Sequence, residues 1–399
     1  MWRNRNVWII LTGEFLAGLG LWLGIIGNLE FMQEKIPSDF LKSLLLAAGL
    51  LAGIAVGPYA GRLTDQASKK TVMLLSGIVR AVSVIFMLIA IATGSVWWML
   101  LFLVLIQISA AFYFPALQAA IPLIVSDREL LQMNGIHMNV STLSRILGTA
   151  LAGLLLVIVP LSMLYTGSLI AYIILLILTW FLNFDETKDN DNAGRNFTAS
   201  KSSFKDVFPI IKNLPIVYMT LLMTLVPLLF LGGFNILVIN ISELQDTSAI
   251  KGWIYTAEGI SFMIGAFFIK QISSKISPYI ILFTCSFFIG ISQLLLYFAN
   301  LPLMTILTFV VFGFTVGCFF PTAATIFQTK VPKEFHGRFF SFRNMLDRIV
   351  FQIVLLMTGF LLDLIGLQFM GVLYGIITIT ITAIFFVKNK QTYGLNQAE

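Results

Sequence analysis

Eight charged side chains lie inside stretches that are otherwise apolar: Glu14, Glu30, Arg80, Arg145, Glu258, Arg343, Asp347 and Arg348. An ion in an apolar run is costly and tends to face a cavity or a partner of opposite sign. These are the residues whose chemistry is out of place. Glu14 and Arg145 fall at similar depth, as does Arg80, so Glu14 and Arg145 are candidates to pair. A carboxylate beside a guanidinium in a partly dry cavity has a proton affinity that changes as the cavity opens and closes. That is the requirement for coupling to protons; a structural gate made of the same pair is the alternative. Glu258 is a candidate for cation or proton binding. Glu30 is a candidate site residue or an outer-interface charge. Arg343, Asp347 and Arg348 form a candidate cytoplasmic gate.

The elements that would carry these charges are read from composition. The 399 residues are 58% hydrophobic and 11% charged, with a mean hydropathy of +0.93. A soluble domain carries about 25% charged residues. Charge this scarce does not cover a surface in water, so the chain is expected to be surrounded by lipid. Twelve continuous Leu/Ile-rich runs are long enough to cross a bilayer, each needing about 20 residues. They span 7–31, 40–60, 71–93, 96–122, 136–159, 163–183, 214–240, 252–272, 279–299, 302–327, 345–362 and 366–387. β-barrel strands would be short and alternating instead. The first run is too long for the apolar core of a signal peptide.

The net charge of +6 does not point to nucleic acid, because the basic residues are spread over short connections. Eighteen Lys and Arg fall on one set of connections, against Lys35, Lys42 and Lys251 on the other. This asymmetry places both termini in the cytoplasm. The polar stretch from Asp185 to Lys205 is expected to be a cytoplasmic linker. With a short interfacial helix it fills residues 185–213, dividing a six-helix bundle over 1–184 from a second over 214–399. The halves echo each other weakly. Phe114-Pro115-Ala116 leads to Val125 and Gly135, and Phe320-Pro321-Thr322 leads to Val331 and Gly337.

The connection after the second run contains Gly61, Asp65, Lys69 and Lys70. Here the chain resembles the major facilitator superfamily, whose signature at this place is a Gly, three residues, an Asp and a short basic turn. Gln66 stands where the family has Arg, and Ser68 where it has Gly. The resemblance implies an all-α membrane fold of twelve helices in two six-helix bundles. It also implies a secondary transporter rocking about a midplane site. Gly61 would allow close helix approach, Asp65 would face a helix N-terminus, and the basic pair would anchor at anionic headgroups. In span 5, Gly135, Gly148 and Gly153 resemble the antiporter motif of drug exporters, with Thr149 in place of Pro and Ala152 in place of Gly. The stretches Phe112–Pro122 and Phe319–Thr329 look most like the macrolide-efflux and siderophore-exporter branch.

Many exporters of the superfamily carry a proton-coupling Arg in span 4. Gln107 stands at that position here, so Glu14 or Glu258 would have to serve. The expected activity is therefore proton-coupled export of a hydrophobic or amphipathic small molecule. An importer or lipid translocator of the same fold is the main alternative, and a membrane enzyme or sensor a remote one. Trp22, Gln107, Tyr113, Phe114, Phe234 and Phe320 are candidate cavity-lining residues. His137 and His336 are read as solvated groups at the cytoplasmic face, with no proton-carrying role. No phosphate-binding loop, metal cluster or nucleophile triad is present in the sequence, so no catalytic residue, metal or cofactor is expected. The expected partners are the substrate, protons and membrane lipid, with the chain acting as a monomer in a bacterial cytoplasmic membrane.

The charge asymmetry makes a direct prediction. Reporter domains fused to either terminus should both register as cytoplasmic; a split result would refute the span count.

Overall fold

The computed structural model describes residues 2–184, 213–332 and 336–389, and among them the regular elements are all helical. Thirteen α-helices are defined here. α1 is Arg5–Lys35, α2 Asp39–Gln66, α3 Lys69–Thr93, α4 Val96–Ile124, α5 Asp127–Ile158 and α6 Leu161–Trp180. α7 (Pro215–Met223), α8 (Leu225–Leu231) and α9 (Phe234–Leu244) are successive pieces of one 30-residue apolar stretch. α10 is Ala249–Ser273, α11 Pro278–Leu295, α12 Pro302–Lys330 and α13 His336–Asn389.

Eleven stretches among the described residues are long and apolar enough to cross a membrane. The last of them, Phe342–Lys388, has 47 residues. At 1.5 Å per residue it would extend about 70 Å, more than twice a hydrocarbon core of about 30 Å. It is broken at Gly366, where φ is 75° and ψ 168°, a conformation that favours glycine. It therefore makes two spans, and the total is twelve. The proposed linker over 185–213 and its interfacial helix lie, except for Asn213, outside the described residues.

By mutual contact the chain divides into two compact units. The first comprises Met1–Pro37 with Leu44–Phe197, and the second Ser38–Ser43 with Thr198–Glu399. In lipid there is little hydrophobic force between helices, so tight packing needs small residues or interhelical hydrogen bonds. The first unit uses both. Ser168 on α6 donates to the carbonyl of Gly20 at 2.7 Å, and Tyr165 donates to that of Gly24 at 2.9 Å. A Cβ at Gly20 would come within 2.8 Å of the Cβ of Ala171. The start of α1 is fixed by Asn4, whose side chain accepts from the Asn6 N–H at 2.9 Å and donates to the Ile124 carbonyl at 2.7 Å. α1 is thereby held against both α4 and α6.

In the second unit α10 and α12 touch backbone to backbone. Gly313 and Gly317 of α12, a Gly-x-x-x-Gly pair, lie against the carbonyls of Glu258 and Phe262. Two cations that the charge count had assigned to outer connections are inside this unit instead. Lys42, 1% exposed, donates to Asp39 at 2.9 Å and to Glu243 at 3.1 Å. Lys251, fully buried, donates to Ser242 at 2.7 Å. Asp363 accepts from the Ser38 hydroxyl at 2.7 Å and from the backbone N–H of Asp39 and Phe40 at 2.8 and 3.0 Å, capping the first turn of α2. These partners explain how the two cations are held where a membrane protein otherwise avoids charge.

Glycine contacts of this kind predict position-specific costs. Gly317→Ala puts a methyl group onto the Phe262 carbonyl and should destabilise by about 1–3 kcal/mol. Gly57→Ala, where nothing lies within 4 Å, should be neutral or slightly stabilising. Thermal unfolding in detergent distinguishes them; equal effects would contradict the packing.

Candidate functional site

The first unit gathers four polar side chains from four helices, directly or through one another, around the carboxylate of Glu14 on a fifth. Glu14 lies on α1, two to three turns past the Asn4 cap. Tyr113 of α4 donates its hydroxyl to Glu14 Oε1 at 2.6 Å. His137 of α5 places Nε2 3.5 Å from Glu14 Oε2, with the two side chains 12% and 11% exposed. Arg80 of α3 sets its guanidinium 4.7 Å from the centre of the Tyr113 ring and 5.5 Å from that of Tyr172 on α6. Arg80 is 5% exposed.

Local sequence explains why these residues meet. Pro115 lies inside α4; its missing N–H leaves the Ala111 carbonyl without its helical donor, loosening the turn that carries Tyr113. Ser126 and Glu129 form a capping box that starts α5 at Asp127, with Ser126 donating to the Glu129 carboxylate at 2.9 Å. His137 is thus three turns inside a helix, not in a loop. This corrects the solvated reading of that histidine. The chain Arg80–Tyr113–Glu14 also answers a physical problem. A charge at the centre of a span costs about 2.5–3.5 kcal/mol on insertion scales. Here the cation faces two aromatic rings, a contact worth about 2 kcal/mol when dry. The anion accepts a hydrogen bond of about 1.5–3 kcal/mol.

The structure sets Glu14 beside Tyr113 and His137, the neighbours that helix spacing alone did not identify. Arg145, its expected partner, is half-buried further along α5, where Thr149 donates to its carbonyl at 2.9 Å. Glu30 is half-buried near the end of α1, and Glu258 is buried in α10 under Gly313. Arg343 and Asp347 pair at 3.4 Å, and the Arg343 guanidinium lies 4.8 Å from the Phe327 ring centre. Gly148 lies against α1, where an added Cβ would meet the Cβ of Trp22 at 2.9 Å. Gly153 is buried, whereas Gly135 has nothing within 4 Å and is not a packing contact. The side chains of Gly61 and Asp65 lie outside the described ones. Lys70 donates to the Leu182 carbonyl at 2.6 Å and Lys69 is buried, so the basic pair is engaged by protein rather than held out to headgroups.

Of the aromatic candidates, Tyr113 is buried at the Glu14 site, while Phe114 beside it is exposed. Phe234 sits in a packed cluster, its ring centre 5.2 Å from that of Phe309 and 5.0 Å from that of Tyr255. Phe320 packs edge-on to Phe319 at 5.8 Å. Gln107 lends its backbone to a close contact with Gly53.

The sequence matches the family described as Major Facilitator Superfamily over residues 10–247 and 220–399. The chain belongs to that superfamily: it is a multi-pass membrane transporter, not an enzyme. Among curated relatives it is similar to the MFS-type transporter YfiS of Bacillus subtilis (strain 168). The two are 23% identical, over 98% of this chain and 95% of that one. It is also similar to macrolide efflux protein A of Streptococcus pyogenes, 25% identical over 89% of this chain and 88% of that one. Among solved structures it resembles a mutant of the nucleoside transporter NupG, with a TM-score of 0.77 and 13% identity. That match covers 96% of this chain and 99% of the other, and bears on fold alone.

Removing the Tyr113 hydroxyl tests the site directly. Tyr113→Phe should lower stability by about 1.5–3 kcal/mol in thermal unfolding, while Phe114→Leu, at an exposed neighbour, should stay within about 0.5 kcal/mol. Equal effects would show that the Glu14 hydrogen bond contributes nothing.

Proposed function

We propose that the protein exports a hydrophobic or amphipathic small molecule across the bacterial cytoplasmic membrane in exchange for protons, and that Glu14 carries the coupled proton. The observation that carries this reading is the embedded Glu14 carboxylate, held by a phenol and faced by an imidazole, with a buried guanidinium nearby. Secondary transport needs an ion-binding group that is neither sealed in lipid nor free in water. Glu14, about one-tenth exposed, meets that need. Glu258 is the second carboxylate of this kind; Glu14 is preferred because a titratable neighbour faces it.

The likeness to macrolide efflux protein A over most of both chains supports export and a bulky substrate. The contact of Gly148 with α1 supports it further, since it places the exporter-like segment of α5 on the helix that bears Glu14. In the proposed cycle, protonation of Glu14 from the outside releases substrate, and loss of that proton to the cytoplasm restores affinity. Both termini are assigned to the cytoplasm by the distribution of basic residues.

Inverted vesicles test the reading. With a proton gradient, vesicles bearing the wild type should accumulate radiolabelled erythromycin. Glu14→Gln should lose about 100-fold in rate, in line with the value of a positioned proton-transfer group, while keeping its folded melting behaviour. Accumulation unchanged in Glu14→Gln would rule out Glu14 as the coupling group, and none in the wild type would rule out this substrate class or direction.

A further inference from the structure

We propose that the proton leaves Glu14 for the cytoplasm through His137, making the imidazole the second proton-carrying group of the site. The proposal rests on Glu14 being the coupling carboxylate, as argued above. The geometry assigns separate tasks to the two carboxylate oxygens. Oε1 accepts the Tyr113 hydroxyl at 2.6 Å. Oε2 faces His137 Nε2 at 3.5 Å. That distance exceeds the range of about 2.6–3.2 Å needed for proton transfer, so the pair must close as the site does. His137 Nε2 is buried and has no hydrogen-bond partner. It is therefore free to take a proton from the one carboxylate oxygen that Tyr113 leaves open.

The remaining charged and titratable groups around the pair do not compete for this task. Arg80 on α3 keeps its charge throughout, because a guanidinium is not deprotonated in proteins. Tyr113 on α4 already donates to Glu14, and Tyr172 on α6 faces Arg80. Arg145 lies two turns further along α5 and is likewise a fixed charge. Histidine alone among side chains has an unperturbed range between pH 5 and 8. On this proposal the route to the cytoplasm is the open turn that carries His137. Asn134, Gly135 and Met138 are exposed, and a Cβ at Gly135 would meet nothing within 4 Å.

The step balances without any other reactant. With Glu14 protonated on Oε2 and His137 neutral, the O–H bond breaks, an N–H bond forms at Nε2, and a carboxylate–imidazolium pair results. The imidazolium ring then turns toward water and releases its Nε2 proton there, which leaves the neutral Nδ1–H form it began with, and the ring turns back to face Glu14.

The chain contains two histidines, His137 and His336, so the imidazole NMR signals of the full-length protein in nanodiscs are two. His137→Asn identifies the signal that belongs to the site. In Glu14→Gln the His137 imidazole loses the carboxylate it faces at 3.5 Å, so its imidazole signals should move from their wild-type positions. In inverted vesicles, His137→Asn should slow gradient-driven erythromycin accumulation at least about 10-fold. It should also flatten the dependence on cytoplasmic-side pH, while erythromycin counterflow, which needs no net proton release, continues. His137 imidazole signals at identical positions in wild type and Glu14→Gln would overturn the proposal. So would a wild-type pH profile in His137→Asn, or loss of counterflow along with accumulation, which marks a purely structural role. Gradient-driven accumulation retained in Glu14→Gln would overturn the underlying assignment of Glu14, and the hand-off with it.

Discussion

A carboxylate inside a lipid-embedded bundle must find donors within the protein, and the Tyr113 hydroxyl on Glu14 meets that demand in the first unit. The bond connects α4 to α1, and through the Tyr113 ring it brings the Arg80 charge within reach of the same site. No direct salt bridge is needed. The cation is spread over two aromatic faces, and the anion is held at one oxygen with the other left toward an imidazole. An arrangement of this kind keeps charge inside the bundle without pairing the two ions directly.

The rest of the first unit serves to bring these groups together. α1 is placed by the Asn4 cap at one end and by hydroxyl-to-backbone bonds from α6 along its length. The second unit meets the same constraint differently. Its close helix pair is made by glycines on α12, and its buried lysines are held by carboxylates and a serine hydroxyl. The embedded charges Glu14, Arg80, Lys42 and Lys251 each have partners within the protein, as expected when water is excluded.

Much of the architecture was legible from the chain alone, because hydropathy acts over 20 residues and needs no knowledge of facing. The twelve runs, the break at Gly366 and the family signature after span 2 are of this kind. The out-of-place charges Glu14 and Arg80 were legible for the same reason. Their neighbours were not. Which face of α4 and α5 turns toward α1 is set by packing over the whole bundle, so Tyr113 read as a cavity aromatic and Arg145 as the partner of Glu14. His137 was missed for a different reason. The apolar run locates where lipid begins, not where the helix begins, and α5 starts nine residues before the run that marked it. The Ser126-x-x-Glu129 capping box was the available signal. The Gly313-x-x-x-Gly317 pair was equally visible. The burial of Lys42 and Lys251 was not, since a positive charge at a span end reads as a loop residue whenever its acidic partners are far away in sequence.

The proposed function turns on Glu14 losing its proton when substrate is bound, so that occupancy by one disfavours the other. Proton release from the solubilised protein in weak buffer measures this directly. On addition of saturating erythromycin, the wild type should release protons to the medium and Glu14→Gln should release none. Substrate binding by the wild type with no accompanying change in medium pH would contradict the account.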